Sequence, residues 1–218
     1  MDNSAIINNT IAFVKETLKN AEGGHDWFHT ERVYNNALLI AKKEKGIDLL
    51  VIELGALLHD IADSKFYNGD EMIGPIKARN FLQNLFVAES VILHVENIIK
   101  NISFKGGNFN QNFTSKELRI IQDADRLDAI GAIGIARCFN YGGYKNRQLY
   151  DPNIAPNLEM TKEEYKNSTA PTINHFYEKL LLLKDKMNTE SGKKIAEKRH
   201  KFMELYLEQF YSEWDGKV

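Results

Sequence analysis

Leu57-Leu58-His59-Asp60-Ile61-Ala62-Asp63 closes an apolar run that opens at Leu49. Within the run Leu50, Leu54, Leu57 and Leu58 fall at helical spacing, and Asp48 stands ahead of them as an N-cap. The run then ends on a histidine and an aspartate side by side. Burying an ionised carboxylate next to an imidazole costs on the order of several kcal/mol unless positive charge meets it. A divalent metal would supply that charge, so the rest of the chain is searched for further ligands. His29 upstream and Asp125 downstream answer, each on its own predicted helix.

The same period of about 3.6 residues recurs along nearly the whole chain, without an alternating strand, and predicts an all-α fold. A first helix spans about Ser4 to Lys19, with Ile7, Ile11, Val14 and Leu18 on one stripe, and Gly23-Gly24 ends it. The next begins at Asp26 or Trp27 and runs to Lys45, where Gly46 stops it. Its inner stripe of Val33, Ala37, Ile40 and Ala41 places His29 at the buried edge of the first turn. After a polar loop from Asp63 to Asp70, a shorter helix covers Glu71 to Leu85, with an early turn or kink at Gly74-Pro75. Ala88 to Ile102 is strongly periodic. Phe104 to Phe113 is rich in Gly, Asn and Phe, as in mobile loops that cover sites.

Thr114-Ser115-Lys116-Glu117 reads as a capping box. In the helix it opens, Leu118, Ile121, Asp125, Ala129 and Ala132 share a face, which aims Asp125 at the core and Asp123 away from it. Gly131 and Gly134 allow a close helix contact or a short break. Asn140 to Met160 is the longest irregular stretch. Pro171 opens a helix reaching about Met187, and a last helix spans about Ser191 to Trp214 with Ile195, Phe202, Leu205, Phe210 and Trp214 inward. The organisation expected is one domain over 1–218, with a core of about 24–140 and C-terminal helices of about 168–214 packed on it.

At 218 residues the chain can bury a sizeable core. A net charge of −2 provides no global basic field for nucleic acid. Cys138 is the one cysteine, which rules out an intramolecular disulfide and a cysteine-rich zinc site and suits a reducing compartment. Met1-Asp2-Asn3-Ser4 does not read as a signal peptide, and Leu49 to Leu58 is too short to span a bilayer. The expectation is a cytoplasmic protein with a small-molecule partner and no membrane association, a homodimer being left open.

His29, His59, Asp60 and Asp125 offer two imidazoles and two carboxylates. That donor set suits one divalent ion, Mn²⁺ first, with Mg²⁺, Co²⁺, Ni²⁺, Fe²⁺ or Zn²⁺ as alternatives. Such an ion polarises a phosphorus centre and lowers the pKa of bound water. Taken singly, each residue also has an ordinary reading. A buried histidine is satisfied by core hydrogen bonds, Asp60 ends a helix, and Asp125 pairs with Arg32 or Arg137. Their joint placement on inner faces is what favours a metal.

The order His29, His59-Asp60, Asp125 resembles the HD superfamily of metal-dependent phosphohydrolases. His25-Asp26-Trp27-Phe28-His29-Thr30-Glu31-Arg32-Val33, Ala56-Leu57-Leu58-His59-Asp60-Ile61 and Gln122-Asp123-Ala124-Asp125-Arg126-Leu127-Asp128-Ala129-Ile130-Gly131 are similar to a subfamily of small bacterial HD hydrolases. The likeness extends through His175 to Leu181 and Asn188 to Arg199, so it covers about Gly24 to Trp214. It implies a helical HD fold, metal ligation by His29, His59, Asp60 and Asp125, and hydrolysis of a phosphate ester or anhydride of a nucleotide. Relatives that cleave nucleoside triphosphates to pyrophosphate rank that reaction first. A nucleoside monophosphate phosphatase is the runner-up, and a non-catalytic nucleotide or metal sensor is the alternative from another class. Dinuclear HD phosphodiesterases add histidines between the dyad and the last aspartate. Only His94 lies in that interval here, which implies one metal. The lysine close after the dyad in cyclic-dinucleotide HD enzymes is replaced by Asp63 and then Lys65, and no Gly-Tyr-Pro signature is present.

Around the ligands, Asp63 is a candidate to orient or deprotonate the attacking water, or else caps a helix. His94 is a candidate proton donor to the leaving group, or else a structural histidine. Asp26 holds a ligand ring proton or caps a helix. Arg32, Lys65, Lys105, Arg126 and Lys145 are phosphate candidates, and Tyr144, with Tyr141, can stack on a base. Each also reads as ordinary surface. A patch of Lys100, Lys105, Lys116 and Arg119 would serve nucleic acid instead.

Overall fold

The structure, a computed structural model, describes residues 2–21, 24–62, 70, 72–102 and 113–218, the side chains of Lys162 and Lys166 excepted. Every regular element among them is helical, as the period of the sequence requires. The elements are α1 (Asn3–Thr17), α2 (Trp27–Ala41), α3 (Leu49–Leu58), α4 (Ile73–Asn84), α5 (Glu89–Asn101), α6 (Lys116–Asp128), α7 (Gly131–Tyr144), α8 (Lys162–Asn167), α9 (Asn174–Glu178) and α10 (Glu190–Trp214), with a 3₁₀ segment at Leu180–Lys186. No helix among the described residues is long and apolar enough to cross a membrane. The chain forms two compact units, Met1–Asp125 and Arg126–Val218.

In the first unit α3 is central and packs against α1, α2 and α5. It is apolar on nearly every side, the composition of a helix surrounded by others. Leu54, Leu57 and Leu58 are fully buried, and each such side chain contributes about 1.5–3 kcal/mol. Gly55 brings α6 close, since a Cβ there would lie 2.6 Å from Ile121 Cδ1. Asp2, Asp26 and Asp48 cap α1, α2 and α3 through their side chains. Gly74-Pro75 does not kink α4. Both sit in its first turn, where proline lacks only an N–H that would have no partner within the helix.

Two readings of α6 change. Its cap is one residue later than the expected box: Leu118 N–H donates to Ser115 Oγ at 3.0 Å. Glu117 turns inward instead and accepts from Asp48 N–H at 2.9 Å. Burial opposes ionisation of Glu117, but that N–H and nearby His94 hold its carboxyl below the usual range. Asp123, expected outward, is 0% exposed. The Asp125 side chain, expected inward, is 42% exposed. Ile120, Ile121, Gln122, Asp123 and Ala124 are all buried, so this part of the helix has no outer face for Asp123 to occupy.

In the second unit α6 ends at Asp128, and Gly131 (φ 75°) makes the break before α7. Helix α7 continues to Tyr144, into the stretch expected to be irregular from Asn140. The expected helix from Pro171 to Met187 is two pieces, α9 and the 3₁₀ segment, separated at Lys179, whose backbone is non-helical (φ −145°). Thr172 and Ile173 donate backbone bonds to Gln148 O and Leu149 O at 2.9 and 3.1 Å, which fixes the returning loop. On α10 the buried stripe is Gly192, Ala196, His200, Met203 and Leu207, while Phe202, Leu205 and Trp214 are exposed. The stripe begins on small residues, which permit the close packing of α10 on α7. The bulkier side chains lie beside it, with Phe210 and Trp214 in ring contact with Tyr150.

Gly134 has no room for a side chain, because a Cβ would stand 2.2 Å from the Ala129 carbonyl oxygen. Gly134→Ala is therefore expected to lower unfolding stability by about 1–3 kcal/mol in urea titration. Burial, with Lys179 and Arg147 nearby, lowers the His175 pKa from 6.5 to about 4. The folded state keeps this ring neutral, so its contribution is complete above pH 6.5 and is lost as pH falls toward 4. The loss amounts to about 3 kcal/mol at most. His175→Gln should flatten the stability profile across that window, measured by urea midpoints at each pH.

Candidate metal centre

His29 enters the first unit's interior from the first turn of α2, where it is 3% exposed. Asp26 Oδ1 accepts from the His29 backbone N–H at 2.8 Å. Of the two roles open to Asp26, this is the capping one. Asn36 Nδ2, two turns on, donates to Ala124 O at 3.3 Å and ties α2 to α6 beside Asp125. His59 follows directly on α3, and its Nδ1 lies 2.8 Å from Ala56 O. A carbonyl only accepts, so Nδ1 carries the proton and Nε2 keeps a lone pair. That Nε2 is buried and has no hydrogen-bond partner among the described residues. The His29 and His59 ring centroids are 5.4 Å apart, and His29 Nε2 is 3.6 Å from Asp125 Oδ1.

His29, His59 and Asp125 thus each offer a ligand atom, all within 4.8 Å of one another. Ligand atoms roughly 2.1 Å from one ion lie at most about 4.2 Å apart, so a contraction of roughly half an ångström closes the group around a cation. An imidazole lone pair left unpaired in the interior is costly without a partner and suits a metal. Two imidazoles and a carboxylate match a borderline divalent ion.

Asp60, the fourth expected ligand, is directed to another partner. Its Oδ2 accepts from His25 Nδ1 at 2.5 Å. Burial opposes ionisation of Asp60, but the His25 hydrogen bond and nearby His59 hold its carboxyl below the usual range. An ionised carboxylate only accepts, so His25 Nδ1 is the donor. Sequence reading gave His25 no role. The available signal was its place four residues before His29, in the turn that caps the same helix.

The other candidates are scattered. His94 Nε2 is 2.9 Å from Ser115 Oγ and 3.5 Å from Glu117 Oε2, next to the Asp48 cap of α3. Asp48 and His59 stand at opposite ends of α3, eleven residues or roughly 16 Å apart. His94 therefore sits at the end of the helix away from the ligands and is not brought to them. Arg32 is three residues beyond His29 on α2, half-buried and already engaged. Arg126 Nη1 donates to Lys186 O at 2.6 Å, within the second unit. Also there, Lys145 Nζ lies 5.2 Å from the Tyr144 ring and 5.7 Å from that of Tyr141. Tyr144 is 72% exposed. Asp63, Lys65 and Lys105 lie outside the described residues. The nucleic-acid patch is also drawn into internal bonds: Lys100 pairs with Glu96 at 3.6 Å, and Lys116 donates to Lys45 O at 2.8 Å.

Residues 27–130 match the family model of the HD domain. A crystal structure of an HD-superfamily hydrolase from Bacillus thuringiensis is 43% identical, with a TM-score of 0.78 over 98% of this chain and 99% of that one. The chain belongs to the HD superfamily. Uncharacterized YpgQ of Bacillus subtilis is 35% identical over 207 residues, 94% of this chain and 91% of YpgQ. The crystal structure of YpgQ in complex with ADP matches at a TM-score of 0.78 and 32% identity, over 98% of this chain and 97% of that one. A predicted HD-superfamily hydrolase from an uncultured Thermotogales bacterium is 28% identical, with a TM-score of 0.66 over 95% and 92% of the two chains. HD domains bind divalent metals, and among the described residues of this one His29, His59 and Asp125 form a group that could hold an ion.

His59→Ala is expected to weaken Mn²⁺ or Co²⁺ binding at least about 100-fold in isothermal titration, since it removes a ligand outright. His94→Ala, on α5 beside the other end of α3, should leave that affinity within about twofold.

Proposed function

We propose that this HD-superfamily protein is a metal-dependent phosphohydrolase of nucleotides, and that its reaction is cleavage of nucleoside triphosphates to monophosphate and pyrophosphate. His59 Nε2 carries the reading, as a buried lone pair beside His29 and Asp125 with no partner among the described residues. The nucleotide class is supported by YpgQ, whose structure was obtained in complex with ADP.

In this reading the His29 and His59 lone pairs and the Asp125 and Asp60 carboxylates hold one divalent ion, Mn²⁺ foremost. When bound, the ion polarises the scissile phosphorus and offsets phosphate charge. Asp63, three residues past Asp60, orients the attacking water and takes its proton. Arg32, Lys65 and Lys105 neutralise the remaining phosphate charge. Lys145 and Tyr144, expected beside them, belong to the second unit and take no part in this reading. Arg126 and His94 are omitted, because the first holds the Lys186 carbonyl and the second is bound at the far end of α3.

Turnover of a nucleotide panel with Mn²⁺, resolving phosphate from pyrophosphate, tests this beside metal analysis of protein purified without chelator. Pyrophosphate release from triphosphates, about one ion per chain and loss of both in Asp60→Ala is the expected result. Phosphate release from monophosphates would replace the reaction with the phosphatase. Nucleotide binding without turnover under any divalent ion would make the protein a sensor.

A further inference from the structure

The turn Gly24-His25-Asp26 touches two expected ligands, one in the first turn of α2 and one just past the end of α3. Asp26 caps α2 through the His29 N–H. His25, its neighbour, reaches across 35 positions of sequence to Asp60 Oδ2 at 2.5 Å. Gly24 has φ 131°, a conformation open to glycine and strained for other residues, so the backbone that aims His25 is specified by sequence. The His25 ring centroid is 6.1 Å from that of His29, and its Nδ1 is committed to Asp60. His25 is therefore a neighbour of the ligand group, and His29, His59 and Asp125 form that group without it.

A carboxylate has two oxygens. One engaged by a fixed donor loses its rotational freedom and directs the other. Carboxylates that ligate metals are commonly held this way, and loss of the outer partner costs about 10–100-fold in metal affinity. We propose that His25 is a positioning residue of the metal centre: its Nδ1–H clamps Asp60 Oδ2 and so reserves Oδ1 for the ion held by His29, His59 and Asp125. This role rests on the metal-centre reading above. It adds a residue outside the expected ligand set, and it explains why Asp60 stands apart from the other three ligands. One three-residue turn then sets both the α2 ligand, through the cap, and the α3 ligand, through the clamp.

The test compares full-length wild type, His25→Asn and His25→Phe by isothermal titration with Mn²⁺ and by the visible spectrum of the Co²⁺ form. Asparagine keeps an N–H near the Nδ1 position, whereas phenylalanine keeps a ring without a donor. The expected result is about 10–100-fold weaker Mn²⁺ binding and an altered Co²⁺ spectrum for His25→Phe, with most of the affinity recovered in His25→Asn. Far-UV circular dichroism should be the same for all three, since His25 lies outside any helix. Wild-type affinity in His25→Phe overturns the clamp, and so does equal weakness in both folded variants, which would point to ring packing. Failure of the wild type itself to bind either ion overturns the metal centre and the clamp together.

Discussion

An ionised carboxylate stands at the end of the most apolar helix in the chain, and much of the first unit is arranged around meeting its charge. Burial alone would push Asp60 toward the neutral acid. The His25 hydrogen bond, with His59 and His29 nearby, reverses that preference. The imidazoles can serve because their own protons are directed elsewhere. His59 gives its Nδ1 proton to the last turn of α3, which leaves a lone pair directed to the interior. Removing one member of such a set leaves another polar group buried without compensation, so the group functions as a unit.

Much of this was legible in the sequence because it depends on local rules. The 3.6-residue period identified α1 to α6 and α10, and side-chain chemistry identified the Asp48 cap and offered capping as one of two roles for Asp26. His59 was conspicuous because polar residues do not normally end an apolar run. The misread features involve long-range partners. Glu117 looked like half of a capping box because its true partner, the Asp48 N–H, is 69 residues away. His94 sits in the right sequence interval for a catalytic group, yet the fold directs it to Ser115. His25 pairs with a residue that no spacing rule would link to it.

A second kind of misreading comes from helices with partners on several sides. Periodicity assigns an inside and an outside, and it exchanged Asp123 and Asp125 on α6 because that assignment fails for a helix packed nearly all round. On α10 it favoured bulky Phe202 and Leu205 for the interior. Close approach to α7 instead selected the stripe of Gly192, Ala196 and Met203. Volume and distance of approach, which no single-chain pattern encodes, settled both cases.

The orientation of α3 and α6 has an electrostatic consequence. Glu117 brings the N-terminal ends of these helices together, each with its positive pole, and lays a negative carboxylate between them. Their opposite ends, where His59 and Asp125 stand, are the negative poles, about −0.5 each before compensation. On α6, Arg137 and Arg199 meet the Asp128 and Leu127 carbonyls. The α3 macrodipole thus leaves a negative pole beside His59, while its positive pole is met at a distance by Glu117. Part of the attraction for a cation therefore comes from the peptide backbone, and no side-chain substitution at the centre would remove it.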